Sequence, residues 1–254
     1  MSKVRAKKHL GQHFLTDLEI AQNIAHSLDT SRHNSILEVG PGMGVLTKYL
    51  LNLDSEVFVI EIDKESVRYL KNHFPKLENH IIEGDFLQLP IEEIFKDKVG
   101  IIGNFPYNIS SQILFKAVDH KNTISEIVGM FQKEVAERVA SAPGKKAYGI
   151  ISVLLQCYYD IEYLFTVNED VFDPPPKVKS AVIRLRRNQR EDLPCDEKKF
   201  IRTVKTAFSM RRKTLRNALK SLNLVDEIKA KKFLDLRAEQ LSVKDFFELT
   251  DCFE

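Results

Sequence analysis

Four consecutive residues, Asn104-Phe105-Pro106-Tyr107, can carry out a demanding chemistry. The exocyclic amine of adenine or cytosine is a poor nucleophile, because its lone pair is delocalised into the ring. A protein that alkylates it must hold both N–H bonds so that the nitrogen can pyramidalise toward the donor. Two acceptors suffice. The Asn104 side-chain oxygen is one. The Phe105 backbone carbonyl is the other, exposed because Pro106 biases residue 105 toward extended geometry. Tyr107 supplies a ring on which a base can stack. The reaction such a set would run is in-line methyl transfer from a sulfonium to nitrogen, driven mainly by positioning. An ordinary Asn/Pro turn explains the proline but not the Asn-x-Pro-aromatic order. Downstream, Val171-Phe-Asp-Pro-Pro-Pro-Lys-Val178 forms a stiff, extended loop. Phe172 there is either the second wall of a base-stacking slot or a buried hydrophobic staple beside a rigid turn.

A donor needs its own site. Ile36-Leu-Glu-Val-Gly-Pro-Gly-Met-Gly-Val-Leu46 reads as a strand, a glycine-rich turn and a helix start. Gly40, Gly42 and Gly44 allow a sharp turn and close approach to a ligand. The spacing is G-x-G-x-G, without the Lys-Ser/Thr of a phosphate-binding loop and without the dinucleotide G-x-G-x-x-G. Glu61, at the end of the next strand, can accept hydrogen bonds from ribose hydroxyls. Asp85, after the third strand, can accept one from an adenine amine, and Ile62 can pack on the adenine face. These residues alone also suit NAD(P). Their convergence at the carboxyl ends of successive strands is where open α/β sheets bind ligands.

The elements that must position these groups follow from periodicity. Short apolar, β-branched runs at 35–39, 57–62, 80–82, 99–102 and 124–130 alternate with helical patterns at 45–51, 65–73 and 111–119. That alternation predicts a parallel sheet covered by helices on both faces. Runs at 158–167 and 180–186 follow without a long helix between them and predict an antiparallel pair at one edge. Seven strands in this order give an α/β, doubly wound, Rossmann-like architecture. The polar segment 188–197 reads as a linker. Residues 1–188 are thus expected to form a catalytic domain and 189–254 a small all-helical one. In the latter, Val204, Phe208, Leu215, Leu219 and Leu222 line one helical face, and Lys205, Arg212, Arg216 and Lys220 another.

Composition narrows the classes. Hydrophobic residues at 43% and charged residues at 29% are ordinary for a globular protein. No apolar run reaches the roughly 20 residues of a membrane span, and no signal peptide is visible, so a cytoplasmic location is expected. Cys157, Cys195 and Cys252 are far apart, which argues against a disulfide framework or a metal site, and no metal is expected. A His-x-Glu with a downstream Pro-Cys-x-x-Cys is missing, against a zinc base deaminase. The net charge of +2 conceals two basic stretches. Residues 1–14 carry four Lys/Arg and no acid, and residues 176–220 carry fifteen Lys/Arg against four acids. A polyanion partner fits them; so does a salt-bridged, solvated surface.

Taken together, the chain resembles the small-subunit (16S) ribosomal RNA adenine dimethyltransferases, of the bacterial type. The resemblance spans nearly the whole chain: Gly11-Gln-His-Phe-Leu15, Glu38-Val-Gly-Pro-Gly42, Glu61-Ile-Asp63, Gly84-Asp85, Gly103–Ser110, Phe131-Gln-Lys-Glu-Val135, Lys146–Gly149, Phe172–Ala181 and Phe208–Asn217. It implies a Rossmann-like class I methyltransferase domain with a seven-stranded, mostly parallel sheet, and a helical C-terminal domain. It implies transfer of four methyl groups from S-adenosylmethionine to the N6 amines of two adjacent adenosines. These lie in a hairpin near the 3′ end of the rRNA of the small subunit or its precursor. The cofactor contacts carry over to His13, Leu15, Gly40, Glu61, Asp85 and Asn104, joined by Gly42 and Ile62 from the loop reading. RNA phosphates are expected at Lys7, Lys8, Arg211, Arg212, Lys213 and Arg216, on a protein acting as a monomer. His13 stands where the bacterial pattern often has Asn, and Phe105 where Leu is usual; the second change should matter little if residue 105 acts through its backbone alone. A large-subunit rRNA methyltransferase of the resistance type, an NAD(P) oxidoreductase and a pre-ribosomal assembly factor are the competing readings. The oxidoreductase leaves Asn104–Tyr107 without a role.

Overall fold

The structure, a computed structural model, describes residues 4, 6–7 and 10–254. In chain order the elements are β1 (Phe14–Leu15), α1 (Leu18–Ala25), β2 (Ser35–Val39), α2 (Thr47–Leu50), β3 (Glu56–Glu61), α3 (Lys64–His73), β4 (Ile81–Glu83), α4 (Ile91–Ile94), β5 (Val99–Asn104), α5 (Ser110–Asp119), β6 (Ile124–Gln132), α6 (Lys133–Val139), α7 (Ile150–Tyr158), β7 (Tyr159–Val167), β8 (Phe172–Asp173), β9 (Ser180–Arg187), α8 (Glu197–Ser209), α9 (Leu215–Ala218), α10 (Glu227–Leu234) and α11 (Val243–Thr250).

Seven strands form one sheet in the order β4-β3-β2-β5-β6-β9-β7. The pairs β3–β4, β2–β3, β2–β5 and β5–β6 are parallel, and β9 runs antiparallel to β6. The sheet therefore agrees with the doubly wound architecture expected from the alternating runs. The order reverses at β2, which lies between β3 and β5, and this is where such sheets open a crevice. The central strands β2 and β5 are apolar and buried nearly end to end, as strands covered on both faces must be. A second, two-stranded sheet pairs β1 with β8, Leu15 opposite Phe172. Nothing in the sequence patterns signalled that pair.

The chain forms two compact units. One comprises the described residues up to Ala136 together with Asp160–Arg187; the other comprises Glu137–Tyr159 with Asn188–Glu254. The helical unit therefore begins earlier than a boundary at 188 places it. It takes in α7, whose apolar sequence Ile150-Ile-Ser-Val-Leu-Leu packs with α8 and α11. There Phe200 of α8 meets Phe247 of α11 with ring centroids 5.1 Å apart. The apolar face read as one helix through Leu222 is broken. α8 stops at Ser209 and α9 starts at Leu215. The break has a tertiary cause: the Leu215 N–H donates to the Leu236 carbonyl, 2.8 Å, and the Arg211 side chain is drawn onto the backbone carbonyls of Lys146 and Tyr148. No helix among the described residues is long and apolar enough to cross a membrane.

Candidate active site

One cavity of about 210 Å³ lies at the strand carboxyl ends. His13, Gly40, Gly42, Glu61, Ile62, Asp85 and Asn104, all proposed above from the sequence, line it. The loop after β2 turns through three glycines with φ of +67°, +56° and +77° at Gly40, Gly42 and Gly44, values that L side chains adopt only under strain. Gly42 also needs its missing Cβ, which would lie 2.8 Å from the Phe14 ring.

Glu61 is almost fully buried, yet each carboxylate oxygen is held by one backbone donor. Gly42 N–H donates to Oε2 at 3.1 Å and Asp63 N–H to Oε1 at 2.9 Å. The carboxylate is thereby fixed, and each oxygen keeps lone pairs for further donors such as ribose hydroxyls. Burial pushes its carboxyl above the ordinary range, partly offset by those backbone bonds. Ile62, the next residue, is 53% exposed, an apolar side chain laid open on the cavity wall. Asp85 caps the turn after β4 by accepting the Leu87 N–H through Oδ1, 2.9 Å, which leaves its second oxygen for a ligand. At Gly40 and Gly84 an added Cβ would meet nothing within 4 Å. The backbone there is bare toward open space, as a cradle for a nucleoside requires. Acceptors at Glu61 and Asp85, an apolar plate at Ile62 and bare backbone at Gly40 and Gly84 fit S-adenosylmethionine.

Beneath the loop, Glu38 is wholly buried and its carboxyl is pushed up to about 8, by burial and by the nearby Glu61. The Thr47 hydroxyl donates to it at 2.6 Å. Leu15, expected at the cofactor, does not line the main cavity. Its side chain is buried in the core, and it borders a smaller void with Glu38 and Gly40.

The loop after β5 leaves the sheet at Asn104. The Asn104 side-chain N–H donates to the His13 carbonyl at 2.8 Å. A carbonyl can only accept, so the amide is oriented with nitrogen toward His13 and oxygen away from it. At the same turn the Ser110 hydroxyl spans the Pro106 and Tyr107 carbonyls, at 3.2 and 3.0 Å. The Phe105 carbonyl has no partner among the described residues. Two acceptors therefore stand unspent on consecutive residues, the Asn104 oxygen and the Phe105 carbonyl.

The Phe105 ring is not a bystander, contrary to the expectation that residue 105 acts through its backbone alone. It is 1% exposed and packs on Phe131, centroids 4.9 Å apart. It occupies the space above Gly129 and Gly103, paired across β5 and β6, where a Cβ on Gly129 would fall 1.9 Å from the ring. The ring anchors the loop that lines the cavity.

Tyr107 borders a second, larger cavity as well, shared through Gln12, His13 and Phe14 and walled by Asp173–Val178 and Gln132. Its hydroxyl hydrogen-bonds the Ser180 hydroxyl, and the His13 ring stacks on it, centroids 5.4 Å apart and 28° between planes. His13 is oriented in turn by donating from Nδ1 to the Pro174 carbonyl, 2.7 Å. The wall expected from Phe172 is a different residue. Phe172 is 4% exposed within the core cluster and lines neither cavity. Its role is the staple: its pairing with Leu15 sets the course of the prolines that do line the second cavity. Ser180, Phe14 and Gln132 were not singled out individually from the sequence, although each lies inside or beside a quoted motif.

The basic residues separate into two kinds. The Lys7 ammonium hydrogen-bonds Asp63 and lies 3.4 Å from Glu65, so it is spent on carboxylates at the start of α3 and not free for phosphate. That bond, with those from Glu65 N–H and the Ser66 hydroxyl, outweighs burial and holds the Asp63 carboxyl below its ordinary range. Lys8 lies outside the described residues. Arg211 is committed to Glu239 at 2.9 Å and to the Tyr148 carbonyl at 3.1 Å, and Arg216 to Asp235 at 3.0 Å. Arg212 and Lys213 are exposed, without a side-chain partner among the described residues. Cys195 is a poor nucleophile, because burial pushes its thiol up to about 11.

A sequence model described as "Ribosomal RNA adenine dimethylase" matches residues 3–254. A protein of Cytophaga hutchinsonii named ribosomal RNA small subunit methyltransferase A is 60% identical over 253 residues, covering 99% of this chain and 98% of its own. One of the same name from Flavobacterium johnsoniae is 56% identical over 255 residues, covering 100% and 98%. Among solved structures, a dimethyladenosine transferase from Plasmodium falciparum superposes with a TM-score of 0.80 at 24% identity, over 95% of this chain and 99% of that one. The 23S rRNA methyltransferase ErmE does so with 0.72 at 24% identity, over 94% and 98%. At that identity the two structures speak for the fold alone.

Proposed function

Because the chain belongs to the ribosomal RNA adenine dimethylase family, we propose that its substrate is the small-subunit rRNA, at two adjacent adenosines in a hairpin near the 3′ end, and that Asn104–Tyr107 is the catalytic segment. The enzyme is an S-adenosylmethionine-dependent rRNA adenine dimethyltransferase. The observation that carries the catalytic assignment is the amide of Asn104, turned by the His13 carbonyl so that its oxygen is left as an acceptor beside the Phe105 carbonyl.

S-adenosylmethionine, when bound, supplies an electrophilic methyl group on a sulfonium. Glu61, Ile62, Asp85 and the bare backbone at Gly40 and Gly84 hold it. The Asn104 oxygen and the Phe105 carbonyl accept the two N–H bonds of the adenine amine. Holding both draws the lone pair out of conjugation and aims it at the methyl group. Tyr107, fixed through Ser180 and backed by His13, presents its remaining face to the extruded base. Exposed Arg212 and Lys213 supply phosphate contacts, and the site of action is the cytoplasm, where small subunits mature.

The small-subunit substrate is favoured over the large by the relatives' names at 54–60% identity. The test incubates the protein with labelled S-adenosylmethionine and, separately, unmethylated small and large subunits, and maps the label. Two adjacent dimethyladenosines in small-subunit rRNA are expected. Label confined to large-subunit rRNA overturns the substrate assignment.

A further inference from the structure

The motif Phe131-Gln-Lys-Glu-Val135 has no part in the chemistry derived above, yet Gln132 stands at its edge. It is the last residue of β6. Asn104 is in register with Met130, so Gln132 lies two residues beyond, on the same strand face as Met130 and past the end of the core. Across the other edge of β6, Gln132 is in register with Ser180, whose hydroxyl holds the Tyr107 hydroxyl. The side chain is half-buried and lines the second cavity together with Tyr107 and the prolines Pro174–Pro176. Among the described residues its amide has no hydrogen-bond partner, whereas the Ser180 hydroxyl, the Asn104 amide nitrogen and the His13 Nδ1 are each committed. A half-buried primary amide with unspent donors, fixed to the end of a strand, is a group awaiting a ligand.

We propose that Gln132 is a specificity-determining residue that donates an amide N–H to N1, the unprotonated ring nitrogen beside the target amine of adenine. This rests on the reading of Asn104–Tyr107 as the amine-holding loop. With the amine held on Asn104 and Phe105, the ring nitrogens on its two sides are N1, bonded to C6, and N7, bonded to C5, and both are acceptors in adenine. In guanine, N1 carries a hydrogen and the neighbouring oxygen cannot donate. A donor aimed at that edge faces a donor there, and a buried mismatch of this kind rejects strongly.

The experiment is a cycle between protein and substrate. Small subunits are reconstituted with RNA carrying adenosine, 1-deazaadenosine or 7-deazaadenosine at the target position. Single-turnover methylation is measured for the wild type, Gln132→Ala and Gln132→Glu, the last of which keeps the volume but loses the donor. A changed nucleophilicity of the deaza amine is common to all three proteins and cancels when their ratios are compared with one another. The ratio of adenosine to 1-deazaadenosine rates should be about tenfold larger for the wild type than for both variants, with the 7-deazaadenosine ratio the same for all three. The effect belongs with 1-deazaadenosine, because N1 is the ring nitrogen that differs between adenine and guanine; an effect confined to 7-deazaadenosine overturns the specificity role. Equal ratios for all three proteins with both analogues overturn the proposal. An Asn104→Ala arm on natural RNA separates the two claims. If that arm is inactive while the ratios are equal, the catalytic loop stands and only the Gln132 contact fails. If it retains full turnover, the loop assignment has failed.

Discussion

The substitution Gly129→Ala asks whether the catalytic loop is held by the Phe105 ring. Its single added carbon would sit 1.9 Å from the ring, against ordinary contact that begins at 3.4 Å. One partner must therefore move by about 1.5 Å. The ring has little room to yield, since it is 1% exposed and lies against Phe131. Overpacking of this kind costs about 1–3 kcal/mol. A loop displaced by about 1 Å from its productive position loses about 100-fold in turnover. Urea unfolding and single-turnover methylation of unmethylated small subunits measure the two effects. The variant should be destabilised within that range and turn over about 100-fold more slowly. The double variant Gly129→Ala with Phe105→Leu, which trims the ring, should regain part of both. If Gly129→Ala unfolds at the wild-type urea concentration and turns over at the wild-type rate, the ring is not the anchor.

Four further outcomes are expected. Burial pushes Glu38 up to about 8, so between about pH 4.5 and 8 the folded state holds a proton that the unfolded state releases. Stability contributed by this group is complete below that window and declines as pH rises through it, by up to about 1.4 kcal/mol per pH unit. Glu38→Gln should flatten that decline in urea unfolding followed from pH 5 to 8, and an unchanged slope refutes it. Arg211→Ala should lower the melting temperature, because it strands the Tyr148 carbonyl and Glu239, while Arg212→Ala with Lys213→Ala should leave melting unchanged. The latter pair should instead reduce the salt slope of RNA binding by about 2, one for each phosphate contact removed; a slope unmoved by the pair removes those residues from the interface. Glu61→Gln, with one oxygen replaced by an amide nitrogen facing a backbone N–H, should weaken S-adenosylmethionine binding at least tenfold by calorimetry. Wild-type affinity in this variant would count against Glu61 as a ribose acceptor.

The sheet was legible because its central strands are buried on both faces and so carry unbroken apolar runs, separated by amphipathic helices. The cofactor crevice was legible for a related reason: Gly40, Glu61 and Asp85 stand just past successive strands, and the fold brings such positions together. What was not legible depends on distant pairing. Phe172 reads equally well as a slot wall or a staple until its partner Leu15, far away in sequence, is known. The aromatic His13 that backs Tyr107 comes from the N-terminal segment, whose local sequence carries no sign of its pairing with Phe172–Asp173. The apolar period from Val204 to Leu222 continues across residues 210–214, and only the Leu215–Leu236 bond and the pull on Arg211 break the helix there. Charge counting marked Lys7, Arg211 and Arg216 as surface cations, but their carboxylate partners lie too far off in sequence to be foreseen. Phe105 showed the limit of reasoning about one residue at a time, since the need for its ring is recorded in two glycines on neighbouring strands.

Asn104→Ala tests the central claim most directly. The variant is examined by single-turnover methylation of small subunits at saturating S-adenosylmethionine, with cofactor and RNA affinity measured alongside. Removing one of two acceptors on the reacting amine should cost about 100- to 1,000-fold in the methyl-transfer rate while RNA affinity stays near wild type. A transfer rate within about twofold of wild type would mean that the amine is not activated at Asn104 and Phe105.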